Sequence, residues 1–96
     1  MTRAIVLHVD DNVATLLADG QAGQDCDLEG EATGTLRLAD DVGFGHKVAL
    51  SDIATGDKVI KYGAPIGGAT QAIASGRHVH VHNVTSHYGI AEPEER

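Results

Sequence analysis

A chain of 96 residues with 14 acidic and 7 basic side chains carries a formal charge of −7, which argues against nucleic acid and anionic membrane as partners. One Phe, two Tyr and no Trp leave the core to Val, Ile, Leu and Ala, and 12 glycines point to short strands joined by tight turns. The single Cys26 excludes an internal disulfide and no apolar run approaches a membrane span, so one cytoplasmic domain is the expectation.

Residues 4–9 form an apolar run that predicts a first strand, and Asp10-Asp11-Asn12 ends it with turn-favouring side chains. Residues 13–18 fit helix or strand equally by pattern, and Asp19-Gly20 closes them. The acidic stretch 21–31 predicts an exposed loop with Cys26 incidental to it. No calcium loop is present, because the twelve-residue ligand pattern is missing. Residues 33–38 alternate, with Leu36 and Leu38 inward, and Asp40-Asp41 marks another turn. Gly43 and Gly45 then make a Gly-rich loop that presents His46 and Lys47, either as a flexible solvated turn or as a place where a ligand approaches closely.

A short repeat follows. Residues 53–59 match residues 73–79 twenty positions later: Ile, a small-residue turn, Gly at a left-handed cap, then Val entering a strand. Each copy predicts one turn of helix or 3₁₀ feeding a strand, hence two similar corners in one small β fold. Lys61 stands at the edge of the Gly- and Pro-rich connector between them and can reach an anion. The spacing is not that of a phosphate loop. The tail at 91–96 is charged and sets the domain at residues 1–90.

The hexapeptide His78-Val79-His80-Val81-His82-Asn83 alternates at period 2 and predicts a strand, with Val79 and Val81 inward and three imidazoles on the other face. Same-face neighbours lie about 6.5–7 Å apart, which puts His78 and His82 about 13 Å apart. One metal ion is therefore within reach of His80 with His82, or of His78 with His80, but not of all three. The bland alternative is a solvated strand face that is rich in His.

Three motifs in order carry a resemblance: Gly45-His46-Lys47-Val48-Ala49-Leu50, Lys61-Tyr62-Gly63-Ala64-Pro65-Ile66-Gly67-Gly68-Ala69-Thr70, and Val79-His80-Val81-His82-Asn83. Together they resemble the SAF domain of the altronate and galactarate dehydratase family, over roughly residues 4–84. The resemblance implies a mainly β fold of the SAF-type β-clip, its short strands joined with one or two short helical turns. It implies lyase chemistry on hydroxy acids, with divalent iron or manganese as cofactor. It also implies a large catalytic subunit as partner, which can hold the main metal site. Sulfolactate sulfo-lyase has a similar small subunit. The acidic 21–31 stretch departs from the family, and His78 lies outside its recurrent motif, so the resemblance gives His78 no role.

The reading is a small subunit of a metal-dependent dehydratase that turns a 2,3-dihydroxy acid into a 2-keto-3-deoxy acid, inactive without its large subunit. His46, His80 and His82 are the candidate catalytic residues, with His80 and His82 as candidate metal ligands. Lys47, Lys61 and Asn83 are the candidate substrate-binding residues. The alternatives are a sulfo-lyase small subunit, a non-catalytic SAF binding module, and a small metal-binding protein that uses the His strand alone.

Overall fold

In the first strand Thr2, Ala4 and Val6 turn inward while Arg3 faces solvent, the alternation that a half-buried strand requires. This is β1 (Thr2–Val6), and the structure, a computed structural model, describes residues 2–85. It continues with β2 (Val13–Leu16), β3 (Asp25–Gly30), β4 (Gly34–Arg37), β5 (Lys47–Ala49), β6 (Lys58–Lys61), β7 (Ala64–Ala69), β8 (His78–Val79) and β9 (Val84–Thr85). The expected domain end at residue 90 and the tail at 91–96 lie outside the described residues.

Six strands form one sheet in the order β4-β3-β1-β2-β5-β8, and three form a second in the order β6-β7-β9. β1 pairs with β2 antiparallel and with β3 parallel. β5 pairs antiparallel with β2 on one side and β8 on the other. Two apolar clusters fill the interior. One holds Ala4, Val6, Ala14, Leu16, Cys26, Leu38, Val42 and Val48, and the other Val13, Ala49, Ile53, Val59, Ala69, Ile73 and Val79. Neighbours Val13 and Ala14 feed opposite clusters, as do Val48 and Ala49, so β2 and β5 are covered on both faces.

The mainly β expectation holds. In place of the one or two helical turns, however, the described residues carry only tight turns, and the repeat read twice in the sequence occurs four times. In each copy a bridge residue (Gly20, Val42, Ile53 or Ile73) is followed three positions later by a left-handed glycine (Gly23, Gly45, Gly56 or Gly76) with φ between 81° and 87°. A strand starts two positions after that glycine. The copies pair two by two, Gly20 with Val42 and Ile53 with Ile73. The amide of the residue after each glycine donates back across the turn: Gln24 to Gln21 O, His46 to Gly43 O, Asp57 to Ala54 O and Arg77 to Ala74 O. Only two copies share Ile at the bridge, which is why the other pair escaped the sequence comparison.

Three local expectations are corrected. The first strand ends at Val6, not residue 9. The Asp10 amide donates to His8 Nδ1 and the Asp11 amide to His8 O, which bends the chain and leaves Val9 exposed. The acidic stretch 21–31 contains β3, and Cys26 is fully buried in it. Its carboxylates stay at the surface, where Asp25 pairs with Arg37 and Glu29 with Arg3. The His row is a strand only at His78 and Val79, after which residues 80–83 turn. Val79 is fully buried, but Val81 is 83% exposed rather than inward. Asn83 causes the turn. Its Oδ1 accepts from the His80 amide at 3.0 Å, and its Nδ2 donates to His78 O at 2.8 Å. Its own amide donates to His80 O. An Asn that bonds nearby backbone competes with strand pairing in this way.

Candidate functional site

Two corners aim the histidines at one another. The corner after Val42 delivers His46 directly before β5, and the corner after Ile73 delivers His78 as the first residue of β8. β5 and β8 pair with Val48 opposite His78 and Lys47 opposite Val79. The Asn83 turn then folds His80 and His82 back. His46 stacks on His80 with ring centroids 4.1 Å apart and lies 5.1 Å from His78, which is 5.4 Å from His80. His46 Nδ1 and His78 Nε2 are 2.9 Å apart and share one hydrogen. The ligand atoms of His46, His78 and His80 all lie within 4.8 Å of one another. His82 stands outside that group, its ring 5.1 Å from that of His78 and tilted 38° to it.

Of the two metal pairs that the strand spacing allowed, His78 and His80 both lie in the three-ring group, whereas of the candidate ligands His80 and His82 only His80 does. The straight-strand distance of about 13 Å between His78 and His82 does not apply, because the turn removes the strand on which it rested. His78, to which the family resemblance gave no role, is central. Its missing signal was the β5–β8 register, which joins positions 32 residues apart. Asp40 was read as a turn residue and is also part of the site. Its carboxylate accepts from the His78 amide at 3.0 Å and from Arg77 Nε at 2.9 Å.

Lys47 is half-buried and shares a hollow of about 230 Å³ with Ile66, His80, Val81 and Val84. Lys61, at the end of β6, is close enough for its charge to be felt there. Asn83, only 3% exposed, holds the backbone of His78 and His80. A separate cleft of about 670 Å³ is lined by Asp40, Asp52, Asp57, Arg77, His82 and Asn83 together with the two bridge isoleucines.

Burial first, and then the Lys61 charge, push Lys47 below its ordinary value. Burial, then His82, His46 and His80, push His78 down against the opposing pull of Asp40. For His80 the causes are partial burial, then His46, Lys47 and His82. Burial works against ionisation of Asp40, but the His78 amide and Arg77 outweigh it and hold the carboxyl below its usual range. His80 Nδ1 is buried and has no hydrogen-bond partner among the described residues.

The histidine shifts set a pH dependence. His78 and His80 take up protons less readily in the folded chain than in the unfolded one. The stability tied to their neutral forms is complete above the unfolded value of about 6.5 and is lost as pH falls from there through the lower folded values. The thermal midpoint of the metal-free chain is therefore expected to fall between about pH 7 and about pH 5. The fall should be smaller in His80→Gln, and a midpoint that rises over this window would contradict the cause given.

Short paired strands, four glycine corners and an imidazole cluster at one sheet edge define the class. The chain belongs to the altronate/galactarate dehydratase SAF domain family, whose model matches residues 2–87. The resemblance carried by the three sequence motifs is thereby borne out. Among particular proteins, the chain is 51% identical over 79 residues to altronate dehydratase of Escherichia coli (82% of this chain, 15% of that protein). It is 42% identical over 83 residues to altronate dehydratase of Bacillus subtilis (86% of this chain, 16% of that protein). It is also 38% identical over 84 residues to the (2R)-sulfolactate sulfo-lyase subunit alpha of Chromohalobacter salexigens. That match takes in 83% of this chain and 89% of the subunit. The chain thus spans about one sixth of the dehydratases and most of the sulfo-lyase subunit. Among the described residues no helix is long and apolar enough to cross a membrane.

Proposed function

We propose that this chain is the small subunit of a metal-dependent hydro-lyase that acts on a 2,3-dihydroxy sugar acid with a large catalytic subunit. The observation that carries the reading is the gathering of His46, His78, His80, His82 and Lys47 at one end of β5 and β8 in a chain that is otherwise acidic. Lys47, with the Lys61 charge close by, gives the hollow the positive charge that suits a carboxylate substrate. The family supports the class of reaction.

In this reading Lys47 pairs with the substrate carboxylate, with Lys61 adding charge behind it. His82 is the exposed imidazole outside the three-ring group, so it has a free nitrogen to take the C2 proton or to protonate the departing C3 hydroxyl. The C2–H electron pair forms the enol double bond as water leaves, and the enol relaxes to the 2-keto-3-deoxy acid. Three imidazoles are a donor set that suits divalent iron, and the His80 nitrogen left without a partner among the described residues fits such a ligand role. A cation held by His46, His78 and His80 would supply positive charge to the carboxylate as negative charge develops on it. Asn83 and Asp40 hold the histidine backbone, and the Val79 anchor fixes β8 beneath it.

A second reading is favoured by one observation, the 89% coverage of the sulfo-lyase subunit alpha. There sulfite would leave from C3 in place of water, and the same lysines and imidazoles would serve. Both readings are tested by mixing the purified chain with the large subunit that co-purifies with it and offering an aldonate, an aldarate and sulfolactate. The expected result is 2-keto product from a sugar acid only when both subunits are present. Release of sulfite would favour the second reading. Full turnover by either subunit alone would overturn the small-subunit assignment.

A further inference from the structure

We propose that this chain holds one divalent first-row transition metal by itself, without the large subunit, on the imidazoles of His46, His78 and His80. The inference deepens the lyase reading and rests on it for the purpose of the metal. The binding itself is argued from the geometry of this chain.

Two nitrogens bound to one ion at about 2.1 Å sit roughly 3.0–3.4 Å apart for angles between a right angle and the tetrahedral value. His46 Nδ1 and His78 Nε2 are already 2.9 Å apart. The third ligand atom lies within 4.8 Å of both, so a rotation of the His80 ring closes the set. A purely hydrogen-bonded cluster explains less. One proton satisfies the contact between His46 and His78, yet His80 Nδ1 stays buried and without a partner among the described residues. A buried nitrogen left in that state is uncommon and calls for an explanation, and an ion between the three rings provides one.

The backbone is also fixed as a metal site requires. Asp40 accepts from the His78 amide, Asn83 Nδ2 donates to His78 O, and Asn83 Oδ1 accepts from the His80 amide. Asn83 is thus a positioning residue that ties two ligands to one turn. Three protein ligands leave coordination places open, which is the arrangement of a site that takes water or substrate oxygen.

The test is a titration of the chelator-stripped chain with Co²⁺, read by visible absorption, followed by Zn²⁺ competition and by the imidazole nitrogen shifts of the Zn²⁺ form. One ion per chain is expected, with the shifts of His46, His78 and His80 perturbed. His46→Gln, His78→Gln and His80→Gln should each weaken binding by more than about tenfold, and Asn83→Ala by about 10–100-fold, as for other groups that orient ligands. His8→Gln should leave binding unchanged. Should Asn83→Ala fail to fold, the three Gln variants and the nitrogen shifts still decide. Absence of Co²⁺ binding by the wild-type chain overturns the site. So does a loss in His82→Gln as large as that in His80→Gln. The lyase reading fails on a different result, the lack of turnover with the large subunit present. A chain that supports turnover but binds no metal alone removes this site and leaves that reading standing.

Discussion

His82→Ala is expected to cut turnover of the proposed two-subunit lyase, once reconstituted, by about 10²–10⁴-fold, the loss typical of a positioned acid–base group. The fold should survive. His82 is exposed, and surface substitutions away from special features usually stay within about 0.5 kcal/mol. Its ring is outside the three-nitrogen group, so Co²⁺ binding should also survive. The loss is expected in kcat more than in KM, because in the proposed reading Lys47 and Lys61 still pair with the carboxylate. One limb of the pH–rate profile should vanish with it. Turnover near the wild-type level would mean that the proton is moved by a residue of the large subunit, and that His82 merely packs against His78.

The sequence made the strand-rich class legible because that class depends on local features: β-branched residues, an apolar run at 4–9, alternation at 33–38, and glycine at turns. His46, Lys47, His80 and His82, which the structure brings to one end of β5 and β8, also fall in ordered motifs of the sequence. Geometry was hidden wherever it depends on pairing between distant segments. His46 and His78 meet only through the β5–β8 register, and Asp40 reaches His78 across 38 positions. The His row misled for a specific reason. Alternation of His and Val is the pattern of a strand, but Asn83 at its end bonds back to His78 and His80 and folds the row over. The same turn that exposed Val81 brought the His82 ring to 5.1 Å from that of His78, which a straight strand forbids. The acidic stretch misled in the opposite sense. Its charges mark only the outward side of β3, while Cys26 and the parallel pairing with β1 hold the inward side.

Gly76→Ala should be the most damaging single-methyl change among the four corner glycines, and Gly56→Ala is its control. The two share the same backbone, with φ of +86° at Gly76 and +87° at Gly56, so an L side chain costs about 1–2 kcal/mol at either. Their surroundings differ. A Cβ at Gly56 meets open space, whereas one at Gly76 would lie on the Arg37 carbonyl oxygen, with the Ala39 amide close behind. Backbone there cannot swing aside as the end of a side chain can. Ala39 donates to Gly76 O at 2.8 Å and Gly76 donates to Ala49 O at 2.9 Å, so the corner is tied on both sides. Gly76→Ala is therefore expected to cost on the order of 3–4 kcal/mol, against about 1–2 for Gly56→Ala. At roughly 4–8 °C per kcal/mol for a domain of this size, the two thermal midpoints should stand about 10 °C apart or more. The consequence for the site should differ as well. The Gly76 corner feeds Arg77 and His78, and both are bonded to Asp40, so displacing it moves a proposed metal ligand. The Gly56 corner feeds β6 and should leave Co²⁺ affinity intact. Melting curves and cobalt titrations of the two variants, both measured below the lower midpoint, check this. Equal midpoints would show that the chain around Arg37 yields freely, and unaltered cobalt affinity in Gly76→Ala would show that this corner does not hold His78 in place.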